Sequence, residues 1–168
     1  VICLDAKDGS EVWSTVIGKA AGGYPAPRCT PTVEAGHVYA LSSDGVLACL
    51  TAARGEVVWK KSLRSDLGGS SGGWAYAESP LIDGDRVVVT PGGDKSTIVA
   101  LNKKDGKELF RASVEGLTPK AGKKGGKKGR GYSTAGYSSA VTAEIAGEKT
   151  YVQFLSGGVV GVSASTGK

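Results

Sequence analysis

The chain has 168 residues, of which 40% are hydrophobic and 22% charged, with 27 glycines, six prolines, three tryptophans and no methionine. Glycine without a Gly-X-Y period excludes a collagen, the apolar content excludes a disordered chain, and no apolar run nears the ~20 residues that cross a bilayer. The formal charge of +5 comes from one stretch: Lys120, Lys123, Lys124, Lys127, Lys128 and Arg130 fall within residues 116–131 and leave 15 basic against 16 acidic side chains elsewhere.

The first predicted strand starts at Val1 inside an apolar run with no leader pattern before it, so a piece of a longer protein is expected. A turn at Asp8-Gly9 and a second strand ending at Trp13 follow. This block, Val1-Ile-Cys-Leu-Asp-Ala-Lys-Asp-Gly-Ser-Glu-Val-Trp13, returns as Leu47–Trp59, as Val99–Phe110 and, cut short, as Val160–Lys168. Its turn glycines Gly9, Gly55, Gly106 and Gly167 stand 46, 51 and 61 residues apart, the last interval lengthened by the basic stretch. A second block precedes each later copy, at Pro31–Gly36, Pro80–Gly84 and Ala140–Gly147. A strand-like run follows each one, at His37–Leu41, Arg86–Thr90 and Thr150–Leu155.

One unit therefore reads as four strands, in the best copy Thr32–Glu34, His37–Ser42, Val46–Thr51 and Glu56–Lys60, joined at Gly36, Gly45 and Gly55. Asp8-Gly9, Asp44-Gly45, Asp83-Gly84 and Asp105-Gly106 predict tight hairpins with both central residues at positive φ. Four antiparallel strands recurring every ~45–50 residues specify an all-β fold, a β-propeller of four-stranded blades. The units run 1–30, 31–79, 80–139 and 140–168, about three blades plus a partial one, with 116–131 a flexible Gly/Lys insertion.

The joins between units break the strand pattern. Gly22–Thr30, Gly72–Ser79 and Gly131–Ser139 each carry glycine, aromatic and small polar residues just before a first strand. Such connections lie on one face around a propeller's channel, where ligands and partners dock. Arg28, Trp74, Tyr76, Glu78, Tyr132 and Tyr137 are therefore the candidate rim for a protein or small-molecule partner. The alternative is that these aromatics pack the joins and Glu78 pairs with Arg28.

Other chemistry finds little support. His37 is the one histidine and lies in a strand, so a histidine-rich metal site or a Ser-His-Asp triad supplied wholly by this chain lacks support. Asp83 and Asp85 flank a turn glycine, where aspartate is the expected turn former. Residues 116–131 lack the spacing of a phosphate loop and the interleaved aromatics of a nucleic-acid binder, so nucleic acid is not the expected partner.

The tract Val38–Trp59, with Leu4–Gly9 plus Trp13 and Leu101–Gly106 plus Phe110, resembles the pyrroloquinoline quinone (PQQ) repeat, whose core reads roughly Ala-Leu-Asp-x-x-x-Gly-x-x-x-Trp. Thr51 replaces the usual aspartate. The resemblance implies an eight-bladed propeller when complete, with Trp13, Trp59 and Phe110 docking each blade on the next. Losing such a ring is expected to cost ~3–5 kcal/mol. It also implies an extracytoplasmic, periplasmic setting and a non-catalytic binding or assembly scaffold in the bacterial envelope. The alternative it carries is a quinoprotein alcohol dehydrogenase with cofactor ligands in further blades. Those enzymes hold PQQ with a calcium-ligating Glu, Asn and Asp and many stack it on a disulfide of adjacent cysteines. Here Cys3, Cys29 and Cys49 are isolated and Asn102 is the sole asparagine, so no cofactor or metal is expected within this chain.

Overall fold

The structure, a computed structural model, describes residues 1–23, 27–93, 95–114 and 134–168. Tyr132 and the basic stretch 116–131 lie outside them. The described residues form thirteen strands: β1 (Ile2–Leu4), β2 (Glu11–Ser14), β3 (Thr32–Glu34), β4 (His37–Leu41), β5 (Val46–Thr51), β6 (Val57–Ser62), β7 (Leu81–Asp83), β8 (Arg86–Val89), β9 (Ile98–Asn102), β10 (Glu108–Ala112), β11 (Val141–Ile145), β12 (Glu148–Leu155) and β13 (Gly158–Ser163). Neighbours in sequence pair antiparallel, giving sheets β1-β2, β3-β4-β5-β6, β7-β8-β9-β10 and β11-β12-β13. In chain order these are the first to fourth blades.

The third strand of each full blade is buried on both faces, which is why Leu47–Leu50 and Ile98–Leu101 read as unbroken apolar runs. Alternate residues serve different layers. Ala48 and Leu50 pack with Val38 toward Val1, Trp13 and Ile17 of the first blade. Leu47 and Cys49 pack toward Val87, Val89, Val99 and Leu101 of the third. A further layer joins Val88, Ile98 and Ala100 to Tyr151, Leu155, Val160 and Val162 of the fourth.

The repeat turns differ from the tight hairpins expected at Asp-Gly. Among the four Asp-Gly pairs only the glycines take positive φ; two positive-φ residues in succession occur instead at the hairpin turns Ala35-Gly36 and Ala146-Gly147 and at Gly92-Gly93. At the repeat turn the chain makes a wider loop, with Gly55 N–H donating to Thr51 O at 2.8 Å and Gly106 N–H to Asn102 O at 2.9 Å. The residue at the repeat aspartate position caps that loop through its side chain. Asp5 Oδ1 accepts from Lys7 N–H, Asn102 Oδ1 from Lys104 N–H and Thr51 Oγ1 from Glu56 N–H. Any short acceptor side chain can do this, so threonine stands in for aspartate without loss of the turn.

A bulge sits beside every such loop. Cys3 pairs with Trp13 but Leu4 with Glu11, Cys49 with Trp59 but Leu50 with Val57, and Ala100 with Phe110 but Leu101 with Glu108. The extra residues, Val12, Val58 and Leu109, are left 56%, 45% and 45% exposed on the perimeter. The outer strand of the second blade accordingly runs Val57–Ser62, one to two residues later than the pattern suggested. Inserting one residue re-aims the next side chain, here the aromatic, toward the following blade.

That aromatic meets the turn of its neighbour. A Cβ on Gly106 would lie 2.9 Å from the Trp59 ring, and one on Gly167 2.6 Å from Phe110; Gly55 stands against Trp13 in the same way. Trp13 Nε1 donates to Ala52 O at 2.9 Å and Trp59 Nε1 to Lys103 O at 3.0 Å. Phe110 has no such donor. At that junction Arg86, its guanidinium 5.8 Å from the Phe110 ring centre, donates instead to Ala164 O, which occupies the place of Ala52 O and Lys103 O. Arginine and phenylalanine together do what one indole does elsewhere.

Polar ties reinforce the junctions. Lys103 Nζ reaches Glu34 at 2.6 Å, and Tyr151 OH donates to Asp83 Oδ2 at 2.8 Å beside Lys149. Partial burial opposes ionisation of Asp83, but the bonds from Lys149 and Tyr151 prevail and hold its carboxyl below the ordinary value.

Candidate functional site

The joins run alongside one another and contact each other directly. Thr30 N–H donates to Ser79 Oγ at 2.9 Å and Ser79 N–H to Ser139 Oγ at 2.8 Å, and just before the second join Ser71 bridges Ala135 of the third in parallel. Small residues permit this approach: a Cβ on Gly22 would lie 2.9 Å from Trp74 O, and Gly72 stands against Tyr137 OH.

Of the six candidate rim residues, three come together at the surface. Arg28 Nη1 donates to Trp74 O at 2.6 Å, and Trp74 N–H donates to Tyr137 OH at 3.3 Å. Trp74 and Tyr137 are each 46% exposed and Arg28 is exposed. Three successive joins thus present a guanidinium, an indole and a phenol, the first and last tied to the Trp74 main chain. This combination suits a protein partner, because rigid amphipathic rings and arginine bury well at low entropic cost. Tyr132 lies outside the described residues.

Tyr76 and Glu78 are corrections. Both are buried, at 1% and 2% exposure, and neither can touch a partner. Tyr76 packs against the Gly45 turn, donates its hydroxyl to Pro91 O at 2.8 Å and carries the Arg64 guanidinium 5.2 Å from its ring centre. Burial pushes its phenol up to about 12. Glu78 turns inward away from Arg28. Its Oε1 accepts from Thr90 N–H at 2.6 Å and its Oε2 from Gln153 Nε2 at 3.3 Å.

The three joins share one device at the second residue before the first-strand anchor. Cys29 Sγ donates to Leu41 O, Glu78 accepts from Thr90 N–H, and Ser138 Oγ donates to Phe154 O. Leu41, Thr90 and Phe154 hold equivalent places at the end of each second strand, so each join is pinned to its own blade. Burial raises the Cys29 thiol above its ordinary value, which keeps it protonated and a donor.

Gln153, missed from sequence, is the centre of this network. Its Nε2 donates to Thr90 Oγ1 at 2.6 Å and Ser138 O at 3.1 Å as well as to Glu78, and its Oε1 accepts from Ser138 Oγ and Phe154 N–H. By register it takes the slot of Ala40 and Val89, so a polar residue where its counterparts are aliphatic was the available signal.

The side chains that could serve a quinone or calcium do not converge. Asn102 is committed to its turn and the three cysteines are free and separate. Among the described residues no three His, Cys, Asp or Glu side chains group to hold a metal ion. A cavity of about 530 Å³ between the first and second blades is walled mostly by apolar groups such as Val1, Ile2, Val16, Ile17 and Leu41.

A PQQ-repeat family described as outer membrane protein assembly factor BamB matches residues 1–168. The chain is 31% identical over 109 residues to the outer membrane protein assembly factor BamB of Salmonella typhimurium, covering 62% of this chain and 26% of that protein. To the protein of the same name from Xanthomonas campestris pv. campestris it is 35% identical over 111 residues, covering 62% and 25%. It thus spans about a quarter of the length of these curated relatives. Among solved structures, BamB from Moraxella catarrhalis superposes with a TM-score of 0.58 at 19% identity, covering 99% of this chain and 41% of that one. The quinohemoprotein alcohol dehydrogenase of Comamonas testosteroni gives 0.65 at 17% identity, covering 98% and 30%. At these identities the two likenesses show the fold alone.

Proposed function

We propose that this chain, which belongs to the PQQ-repeat family described as outer membrane protein assembly factor BamB, forms part of a non-catalytic propeller that binds a protein partner during outer-membrane assembly in the bacterial envelope. The observation that carries this reading is the family match along residues 1–168. Arg28, Trp74 and Tyr137 supply the partner-binding rim, held in place by buried Tyr76 and Glu78. The reading assigns no cofactor to these blades, because their donor set is spent on turns and junctions.

The test is complementation of a Gram-negative host lacking its own assembly factor, scored by the amount of folded outer-membrane protein. Full-length wild type is expected to restore it, and Trp74→Ala/Tyr137→Ala to restore little while keeping the wild-type circular dichroism and melting temperature. Failure of wild type would overturn the assembly reading. Full restoration by the double variant would overturn the rim.

A further inference from the structure

Arg64 stands just after β6 and is exposed, yet it is held at three points. Its Nε donates to Asp44 O at 3.2 Å, its Nη2 to Ser71 Oγ at 2.6 Å, and its guanidinium lies 5.2 Å from the Tyr76 ring centre. Tyr76 is itself buried and tied through its hydroxyl to Pro91 O. A main-chain carbonyl, a hydroxyl and a phenol ring are all neutral, so they fix the cation without discharging it. The other arginines of the described residues are placed differently. Arg54 closes on Glu56 at 3.0 Å, Arg86 on Asp85 at 3.8 Å and Arg111 on Glu108 at 2.6 Å, while Arg28 lies within the rim. Among the described residues no carboxylate forms an ion pair with Arg64.

A guanidinium carries five N–H donors, and two are used here. The three left, both on Nη1 and one on Nη2, form an edge that a carboxylate binds through two parallel hydrogen bonds. This edge lies beside the rim: Ser71, which accepts from Nη2, bridges Ala135, and Gly72 stands against Tyr137 OH. The acids nearby are turned to other donors. Asp44 accepts from Ser42 Oγ and from Lys19 N–H at 2.9 Å, and Asp66 from Ser62 N–H at 2.8 Å and Ser65 Oγ at 3.1 Å. Lys19 and Lys95, also at the join end of the blades, form no ion pair among the described residues, whereas Lys103, Lys107 and Lys149 at the turn end are each paired. The join end thus holds cations that no carboxylate of the described residues pairs.

We propose that Arg64 is the carboxylate anchor of the rim: its Nη1–Nη2 edge takes an Asp or Glu side chain of the protein partner, while Trp74 and Tyr137 take the apolar part of the same segment. The proposal rests on the rim reading above and adds to it the chemistry of the partner, an acidic residue flanked by apolar ones. A guanidinium already fixed in place loses little freedom on pairing, which favours a single directed contact. One rigid fork beside two exposed rings has the make-up of a protein-binding hot spot. A polyanion such as a lipid surface would be met by a row of mobile cations instead.

Carbodiimide coupling in the intact envelope tests the anchor, because it joins an amine to a carboxylate where the two touch. In the full-length protein, Arg64→Lys is expected to gain a carbodiimide-dependent link from position 64. Mass spectrometry should map it to an Asp or Glu of the protein that a photoreactive amino acid at position 74 captures. Arg64→Gln, with the circular dichroism of wild type, is expected to lower the yield of that position-74 capture about tenfold. A capture that Arg64→Gln leaves unchanged, or a link from position 64 only to acids of this chain, would overturn the anchor and leave the rim standing. A link from position 64 to another protein with positions 74 and 137 silent would sustain the anchor and sink the rim; silence at all three overturns both. Arg64-dependent binding to phosphatidylglycerol vesicles, with no link to a protein, would overturn the anchor in favour of a lipid phosphate. Should Arg64→Gln not fold, the link from Arg64→Lys decides.

Discussion

Alanine at Gly106 and at Gly36 separates the docking of blades from the backbone geometry of turns. Both glycines sit in the left-handed region, at φ 69° and 75°, so each substitution carries a backbone penalty of roughly 1–2 kcal/mol. Stiffening of the unfolded chain returns about 0.4–1 kcal/mol of it. Around Gly36 a new Cβ meets nothing within 4 Å. At Gly106 it lies 2.9 Å from two atoms of the Trp59 ring, which is 9% exposed and hydrogen-bonded to Lys103 O. Moving that ring adds an overpacking cost of about 1–3 kcal/mol and weakens a bond worth roughly 1 kcal/mol. Gly36→Ala is therefore expected to cost about 1 kcal/mol and Gly106→Ala about 2–5 kcal/mol. Urea unfolding at 25 °C, followed by circular dichroism and tryptophan fluorescence, reads both from the midpoint at constant m-value. Equal losses for the two variants would refute the claim that the turn glycine is a socket for the neighbouring ring.

Other outcomes follow from the same contacts. Trp59→Phe keeps most of the packing but leaves Lys103 O without its indole donor, and should lower stability by about 1–2 kcal/mol in the same urea assay, against ~3–5 for Trp59→Ala. Arg86→Ala strips the donor from Ala164 O and should cost roughly 1–3 kcal/mol; adding Phe110→Trp should recover most of it, which a double-mutant cycle measures. Since Glu78 binds its proton more tightly folded than unfolded, its contribution is complete below the ordinary 4.5 and is lost as pH rises to about 7. The loss is on the order of 3 kcal/mol. Melting temperatures from pH 5 to 8 should show that decline in wild type and a flatter profile in Glu78→Gln. Reconstitution of the purified protein with PQQ and calcium should add no quinone absorbance and no dye-linked alcohol oxidation.

The repeat, the turn glycines and the aromatics were legible because they are local and recur: four strands per unit need the same turn at the same place, and the aromatic stands four residues beyond it in three copies. The bulge was not, since Val12, Val58 and Leu109 look like ordinary strand residues and only the pairing register shows one residue too many. Composition and position drew Arg28, Trp74 and Tyr137 into the site, but they drew Tyr76 and Glu78 as well. Whether a join residue points out or in depends on the path of the neighbouring join, which no local pattern encodes. Gln153 was hidden for a different reason. The β11–β12 hairpin has five residue pairs where its counterparts have three, so alignment of Gly147 on Gly36 places Gln153 two positions out of register with Ala40.

Site-specific photocrosslinking in the intact envelope tests the central claim most directly. A photoreactive amino acid at positions 74 and 137 of the full-length protein is expected to capture a component of the outer-membrane assembly machinery, and at the perimeter positions 58 and 109 to capture none. Crosslinks to that machinery from 58 and 109, with 74 and 137 silent, would contradict it.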